Sequence, residues 1–351
     1  MSPLLKRLKI LKAKGLRYGI KRTMSKLMPY FLLAHPKLVM LPTEIMIEPT
    51  AACNLRCPLC SNPVLKRTKG IMTQEMFDAV LANLDAPIKE ITIGLTGEPL
   101  INPYVFAFIK KLSARGIKCS LPTNGILFDR FSMDEIFDSG LHHTNIAIDG
   151  ATEETYLKYR IGGDFKRLVK NIKELCAEKR RRNAKYPIIT MQFLVMKTNE
   201  HEIDAIKKLA AELQPDRLHL KSAALWTSLT HRERGNLAKE WLPTHDEFSR
   251  YNGNLLITEP VDVCPFAYDN SVILWNGDVA LCCYDFDGKY IFGNLLKEKF
   301  SEVYHKEKYY RIRKEVIDQT LDICKECDIT SATKTGKYLY FNKALENEMG
   351  I

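Results

Sequence analysis

Between residues 44 and 222 the chain repeats one pattern six times: a short apolar run, then a helical stretch. The runs are EIMIEP, EITIGLT, IKCSLPT, HTNIAID, PIITMQFLVM and RLHLK. The stretches between them read as helices: TQEMFDAVLANL, PYVFAFIKKLSARG stopped at Gly116, a third opened by a capping box at Ser132 and Glu135, a long polar one to about Arg182, and one around HEIDAIKKLAAEL. This alternation predicts an α/β protein with a parallel sheet and right-handed crossovers. Six units are too few for a closed eight-fold barrel, so the expectation is an open, partial (β/α)6 TIM-like barrel. Its chemistry belongs on the loops after the strands' C-terminal ends.

The loop after the first run is AACNLRCPLC, with Cys53, Cys57 and Cys60 spaced C-x3-C-x2-C. A closed zinc site or a saturated iron–sulfur cluster takes four protein ligands, so a trio points to a metal centre with one position open. A zinc site completed from a distance, or three unrelated thiols, are the alternatives. The chain has ten cysteines. Its start has scattered charges and no apolar signal core, so a reducing, cytoplasmic setting is expected, which favours metal over disulfides.

C-x3-C-x2-C after the first strand of a partial barrel resembles the radical S-adenosylmethionine (SAM) enzymes. That resemblance implies a [4Fe–4S] cluster on the three thiolates, with SAM on the fourth iron. LTGEPL at 95–100 is similar to the family's Gly-Gly-Glu-Pro turn, with Thr96 in place of the first glycine. Gly97 lets backbone approach the ligand, and Glu98 is expected to accept from its amine. PTNG after the third run implies a nucleoside contact at Asn124, and the position of Leu59 implies a backbone contact to adenine. IAIDGATEETYLKYRIGG resembles the family's fourth-strand segment, with Ala147 where relatives often carry serine. It implies cofactor contacts at Asp149 and at Arg160, the latter toward the methionyl carboxylate, unless Arg160 is a surface helix arginine.

A second group follows: Cys264, the hairpin SVILWNGDVALCC with an Asn276-Gly277 pair suited to a type I′ turn, a helical stretch KEKFSEVYHKEKYYRIRKEV, and Cys324 with Cys327 in CKEC. Cys264, Cys282, Cys324 and Cys327 are four soft ligands that zinc would also accept. In this context they resemble the SPASM/twitch auxiliary domains and imply a second, saturated [4Fe–4S] cluster. Cys283 stands beside Cys282, and either sulfur suits the site; the Gly-x4-Cys spacing favours Cys282. Cys119 and Cys176 read as buried thiols. The expected division is an arm at 1–43, a radical SAM barrel at 44–222, a linker or cover at 223–262, the auxiliary domain at 263–330 and a tail at 331–351.

The resemblance implies that SAM is cleaved to a 5′-deoxyadenosyl radical, which takes hydrogen from a substrate. The saturated cluster then accepts the remaining electron, and an external flavodoxin- or ferredoxin-like reductant resets the system. The layout matches aminocyclitol dehydrogenases, so the main expectation is an oxidoreductase acting on a sugar, aminocyclitol or lipid-linked glycan. Peptide cross-linking or epimerisation is the alternative. Lys197, His219 and Lys221, after strands five and six, are the candidate bases. Trp226, His231, Trp241 and His245 lie in the expected cover.

The net charge of +10 resides in residues 1–43, which hold ten Lys or Arg and no acid. Leu16, Ile20, Met24, Leu27 and Phe31 recur there at helical spacing, flanked by Lys14, Arg17, Lys21, Arg22 and Lys26. Two readings stand: a basic helix on an anionic membrane surface, which would suit a lipid-linked substrate, or a helix covering the barrel's bottom. The arm lacks the aromatic platforms of single-strand binders, and no nucleic acid is expected.

Overall fold

All six expected strands form: β1 (Glu44–Ile47), β2 (Glu90–Ile93), β3 (Lys118–Thr123), β4 (His143–Ala147), β5 (Ile188–Val195) and β6 (Arg217–Ser222). They are seen in a computed structural model that describes residues 31, 35, 38–225, 231–253, 255, 264, 270–325, 327 and 336–342. Neighbouring strands pair in parallel from β1 through β6. Helices α1 (Gln74–Asn83), α2 (Val105–Ser113) and α3 (Met133–Phe137) follow the first three strands. The capping box at Ser132 and Glu135 is present. The helices cover one face of the sheet with apolar side chains, as where Phe77 of α1 stacks on Phe108 of α2 at 4.1 Å.

The long polar helix after β4 is two helices, α4 (Glu153–Tyr159) and α5 (Phe165–Arg181). Gly162 between them has φ +85°, and a Cβ on Gly163 would stand 2.6 Å from the Tyr156 ring. Two glycines in tandem there break the helix and return the chain toward the cysteine loop. Helix α6 (Ile203–Leu213) leads to β6, and α7 (His231–Trp241) occupies the expected connector. Trp241 is buried, 5.5 Å from the Tyr159 ring centroid, so the end of this helix packs as core.

The sheet does not stop at six strands. Its order is β10-β6-β5-β4-β3-β2-β1-β7-β8-β9. Strand β7 (Val272–Ile273) adds in parallel to β1, with Met46 N–H donating to Ser271 O and Glu48 N–H to Ile273 O, both at 2.9 Å. Strands β8 (Asp278–Ala280) and β9 (Ile291–Asn294) continue antiparallel. The expected tail contains β10 (Gly336–Tyr340), antiparallel to β6. The auxiliary segment therefore extends the barrel's own sheet, because an open barrel leaves the backbone edges of β1 and β6 to be paired.

Two local expectations are corrected. Only Gly277 of the Asn276-Gly277 pair has positive φ, so the turn is not type I′. Gly277 N–H donates to Leu274 O, and the left-handed glycine after that turn makes a three-residue hairpin loop. The helical stretch after the hairpin is split into α8 (Phe300–Tyr304) and α9 (Glu307–Ile317); α10 (Asp322–Lys325) then carries Cys324. Leu16, Ile20, Met24, Leu27 and their basic neighbours lie outside the described residues, as does Trp226. Among the described residues, no helix is long and apolar enough to cross a membrane.

The hairpin is clamped to the segment after the cysteine loop. Trp275 lies over Gly70, where a Cβ would stand 2.4 Å from the indole, and its Nε1–H donates to Thr68 O at 3.2 Å. Gly70→Ala is expected to displace the ring and cost about 1–3 kcal/mol, as overpacking does. Gly235→Ala, in α7 with open space around it, should stabilise by about 0.5–1 kcal/mol. Thermal melts of the two variants, with near-UV circular dichroism for Trp275, check both signs.

Candidate functional site

The cysteine loop leaves β1 at its C-terminal end, where the alternation predicts chemistry. Cys53, Cys57 and Cys60 lie within electrostatic reach of one another. Each sulfur faces one N–H donor. Leu55 N–H points to Cys53 Sγ at 3.4 Å, Asn62 N–H to Cys60 Sγ at 3.5 Å, and Arg160 Nη1 to Cys57 Sγ at 3.6 Å. Burial pushes the Cys53 thiol up to about 12 and raises that of Cys57. Three sulfurs on one loop, each met by a donor suited to thiolate, have the chemistry of iron–sulfur ligands.

The LTGEPL turn presses onto this loop. A Cβ on Gly97 would stand 2.1 Å from Thr50 O and 2.7 Å from Ala52 O, so only glycine fits. Thr96, where the family pattern has glycine, has a use for its side chain. Its hydroxyl donates to Glu48 Oε1 at 2.5 Å and accepts from Arg67 Nη2 at 3.1 Å. Arg67 also donates to Glu48 Oε1 at 2.6 Å and, through Nε, to Phe286 O at 2.5 Å in the auxiliary segment. Asn62 donates to Ala51 O at 2.7 Å and Thr96 O at 2.9 Å.

Glu98 and Asn124 are fully engaged within the protein. The Glu98 carboxylate accepts from Thr123 Oγ1 at 2.5 Å, Asn124 N–H at 2.8 Å and Leu100 N–H at 3.1 Å; burial raises its pKa against these donors. Asn124 Nδ2 donates to Asn54 Oδ1 at 2.9 Å, and its Oδ1 accepts from Ile126 N–H at 3.1 Å. Both side chains tie loops together around the site. Leu59 is buried in the core.

Asp149 is wholly buried at the end of β4. It accepts from Leu194 N–H at 2.7 Å and from Arg160 Nε at 2.6 Å, with Arg160 Nη2 on the same oxygen. Arg160 is therefore no surface residue. Its fork rests on Asp149, and its remaining nitrogen faces Cys57.

In the auxiliary segment, burial raises the thiols of both Cys283 and Cys324, and each also lies within electrostatic reach of Cys264. Cys282 is buried, and its sulfur accepts backbone N–H bonds from Tyr284 and Asp285. That donor arrangement repeats those of Cys53 and Cys60, while Cys283 is the one of the pair in electrostatic reach of Cys264, and also of Lys221. Cys327 N–H donates to Cys324 O, closing the C-x2-C turn.

The sheet face opposite the helices is polar. Asn145 Nδ2 donates to Gln192 Oε1 at 2.8 Å, and His219 stacks on Tyr338 of β10 at 4.0 Å. Burial, with the Lys221 and Arg217 cations, pushes the His219 imidazole down to about 3, so it is neutral at pH 7. Lys221 is half-buried on β6, in electrostatic reach of Asp149 and of Cys283; desolvation, and Arg250 beside it, lower its pKa. Lys197, the third candidate base, lies apart from this face. It is exposed, and its Nζ donates to Lys239 O at 3.1 Å on α7, because it lies just past β5 where the chain turns outward. Glu48, Asn54, Asn62, Arg67 and Arg250 escaped the sequence reading. Glu48 had one signal, an acid closing an apolar strand.

The radical SAM superfamily model matches residues 47–217, and an iron–sulfur cluster-binding (SPASM) domain model matches residues 264–328. A PqqA peptide cyclase from Bradyrhizobium diazoefficiens is 30% identical over 182 residues, 51% of this chain and 46% of that protein. The match thus spans about half the relative's length. Streptococcus suis SuiB, solved bound to precursor peptide SuiA, shares the fold with a TM-score of 0.59 and 15% identity, covering 87% of this chain and 75% of that one. BtrN, solved with AdoMet and 2-DOIA, gives 0.52 and 16%, covering 86% of this chain and 100% of that one. Domains of these two kinds bring [4Fe–4S] clusters and SAM as cofactors. The chain belongs to the radical SAM superfamily and carries a C-terminal SPASM iron–sulfur domain.

Proposed function

We propose that this enzyme modifies a peptide substrate by hydrogen abstraction at the mouth of the barrel. The observation that carries the enzymatic reading is Lys221, half-buried on the polar inner face of β6 and in electrostatic reach of both Asp149, beside the first cysteine site, and Cys283 of the second. A substrate seated there meets both centres. SAM bound at the first cluster supplies a 5′-deoxyadenosyl radical that takes a hydrogen atom from the substrate. The Lys221 amine, with its proton affinity lowered by burial, accepts the proton released from the neighbouring atom. Neutral His219, held by Tyr338, and the Asn145–Gln192 pair give the wall its polar contacts. The auxiliary cysteines beyond Lys221 mark the route by which the remaining electron leaves, so the substrate loses two hydrogens in all. A flavodoxin- or ferredoxin-class protein is the external reductant.

Two similarities support a peptide: the PqqA peptide cyclase over 182 residues and SuiB over most of the fold. The small-molecule reading, a sugar, aminocyclitol or lipid-linked glycan, is supported by the alignment with BtrN over that protein's full length. Anaerobic reconstitution with dithionite and SAM, followed by mass spectrometry for 5′-deoxyadenosine, separates them. A peptide panel should raise its yield and lose two hydrogens per turnover; a rise confined to sugar or aminocyclitol substrates would overturn the peptide reading. Loss of no hydrogens would indicate epimerisation.

Three further outcomes follow from the residue roles. The reconstituted chain should hold about eight iron atoms, and Cys53→Ala/Cys57→Ala/Cys60→Ala about four, with no SAM cleavage. Cys324→Ala/Cys327→Ala should keep some 5′-deoxyadenosine formation while oxidised product disappears; undiminished product would remove the electron route from the account. Lys221→Met should slow product formation by roughly 100-fold or more without abolishing SAM cleavage. Iron assay and paired product quantification read all three.

A further inference from the structure

The three sulfurs of the first cysteine site are not equivalent. Cys53 and Cys60 each receive a neutral main-chain N–H from the residue two positions on. Cys57 receives its donor from a cation, Arg160 Nη1 at 3.6 Å. That guanidinium comes from a helix end 103 residues along the chain, and the fold takes several steps to aim it. Arg160 caps α4, its N–H donating to Tyr156 O at 2.8 Å. The following residue, Ile161, accepts from Arg56 N–H at 3.0 Å, joining this turn to the residue just before Cys57. Asp149, fully buried, takes Nε and Nη2, leaving Nη1 to face the sulfur. The Tyr159 ring lies 5.4 Å from the guanidinium carbon and limits water access.

We propose that Arg160 sets the reduction potential of the cluster held by Cys53, Cys57 and Cys60, through a charge-assisted N–H bond to Cys57 Sγ, with Asp149 as its positioning residue. The inference rests on the trio holding a [4Fe–4S] cluster. Adding an electron makes such a cluster more negative. A cationic donor on one of its sulfurs stabilises the reduced form more than the oxidised form, and so raises the potential. The interaction operates in a desolvated pocket, where it is stronger than in water. Because Asp149 carries the opposite charge, the guanidinium acts through its directed N–H bond more than through net charge. Lysine, a point charge without the fork, should reproduce the effect only in part.

The test is a potentiometric titration of the reconstituted full-length chain, followed by electron paramagnetic resonance in the absence of SAM, so that cofactor contacts play no part. Iron content, measured on each sample and on Cys57→Ala, reports separately whether the trio holds a cluster. Arg160→Gln should move the first cluster's midpoint to more negative values, with Arg160→Lys between it and the native protein. The auxiliary cluster is the internal control and should keep its midpoint in all three. If Arg160→Gln fails to load iron, Arg160→Lys decides alone: a lowered midpoint supports the role, and a native one overturns it. Native midpoints in both loaded variants would also overturn it.

Discussion

A glycine pressed against two carbonyl oxygens is the contact on which the site depends. Gly97 leaves no room for a Cβ against Thr50 O and Ala52 O, and Glu98 N–H donates to that same Ala52 O at 2.8 Å. This locks the loop after β2 onto the cysteine loop after β1. Glu98 extends the lock to the loop after β3 through Thr123 and Asn124, and Asn124 returns to Asn54 between the first two cysteines. Three loops thus share one buried network, in which leaving a donor unpaired costs about 1–3 kcal/mol. The cysteines are held by that network more than by their own loop.

The same network reaches the auxiliary domain. Thr96, the departure from the family's glycine, joins Glu48 at the end of β1 to Arg67, and Arg67 reaches Phe286 O. Lys66 N–H adds a bond to Asp287 Oδ1 at 2.7 Å. With β7 paired directly to β1, the two cysteine groups sit on a common sheet and not on separate bodies joined by a tether. A shared backbone ladder fixes the separation of the segments that carry them.

The inner face of the sheet departs from what parallel strands usually show. Such strands tend to be apolar on both sides. Here β4, β5 and β6 alternate buried Ile146, Met191 and Leu220 with polar Asn145, Gln192 and Lys221. Helices cover the first set, and the second lines the barrel. A polar lumen with a lysine in electrostatic reach of Asp149 and Cys283 is poor packing and good chemistry, which is why the enzymatic reading centres on Lys221.

The alternation of apolar runs and helices was enough to place six strands in order, because each element's period is local. The trio, the GEP turn and the second cysteine group were legible for the same reason: short spacings on one loop keep their meaning wherever the loop lies. What the sequence left undecided are relations between distant segments. Arg160 looked as much like a surface residue as a ligand until the Gly162-Gly163 break turned it onto Cys57. Cys282 and Cys283 are adjacent in the chain, and only tertiary packing puts one of them, Cys283, in electrostatic reach of Cys264 and Lys221. Lys197 just after β5 and Lys221 near the end of β6 read alike in sequence, yet one turns out to solvent and the other is half-buried, because residues at a strand's end are oriented by what packs above them. β10 was read as tail since a five-residue edge strand has no signal apart from the partner whose open edge it pairs.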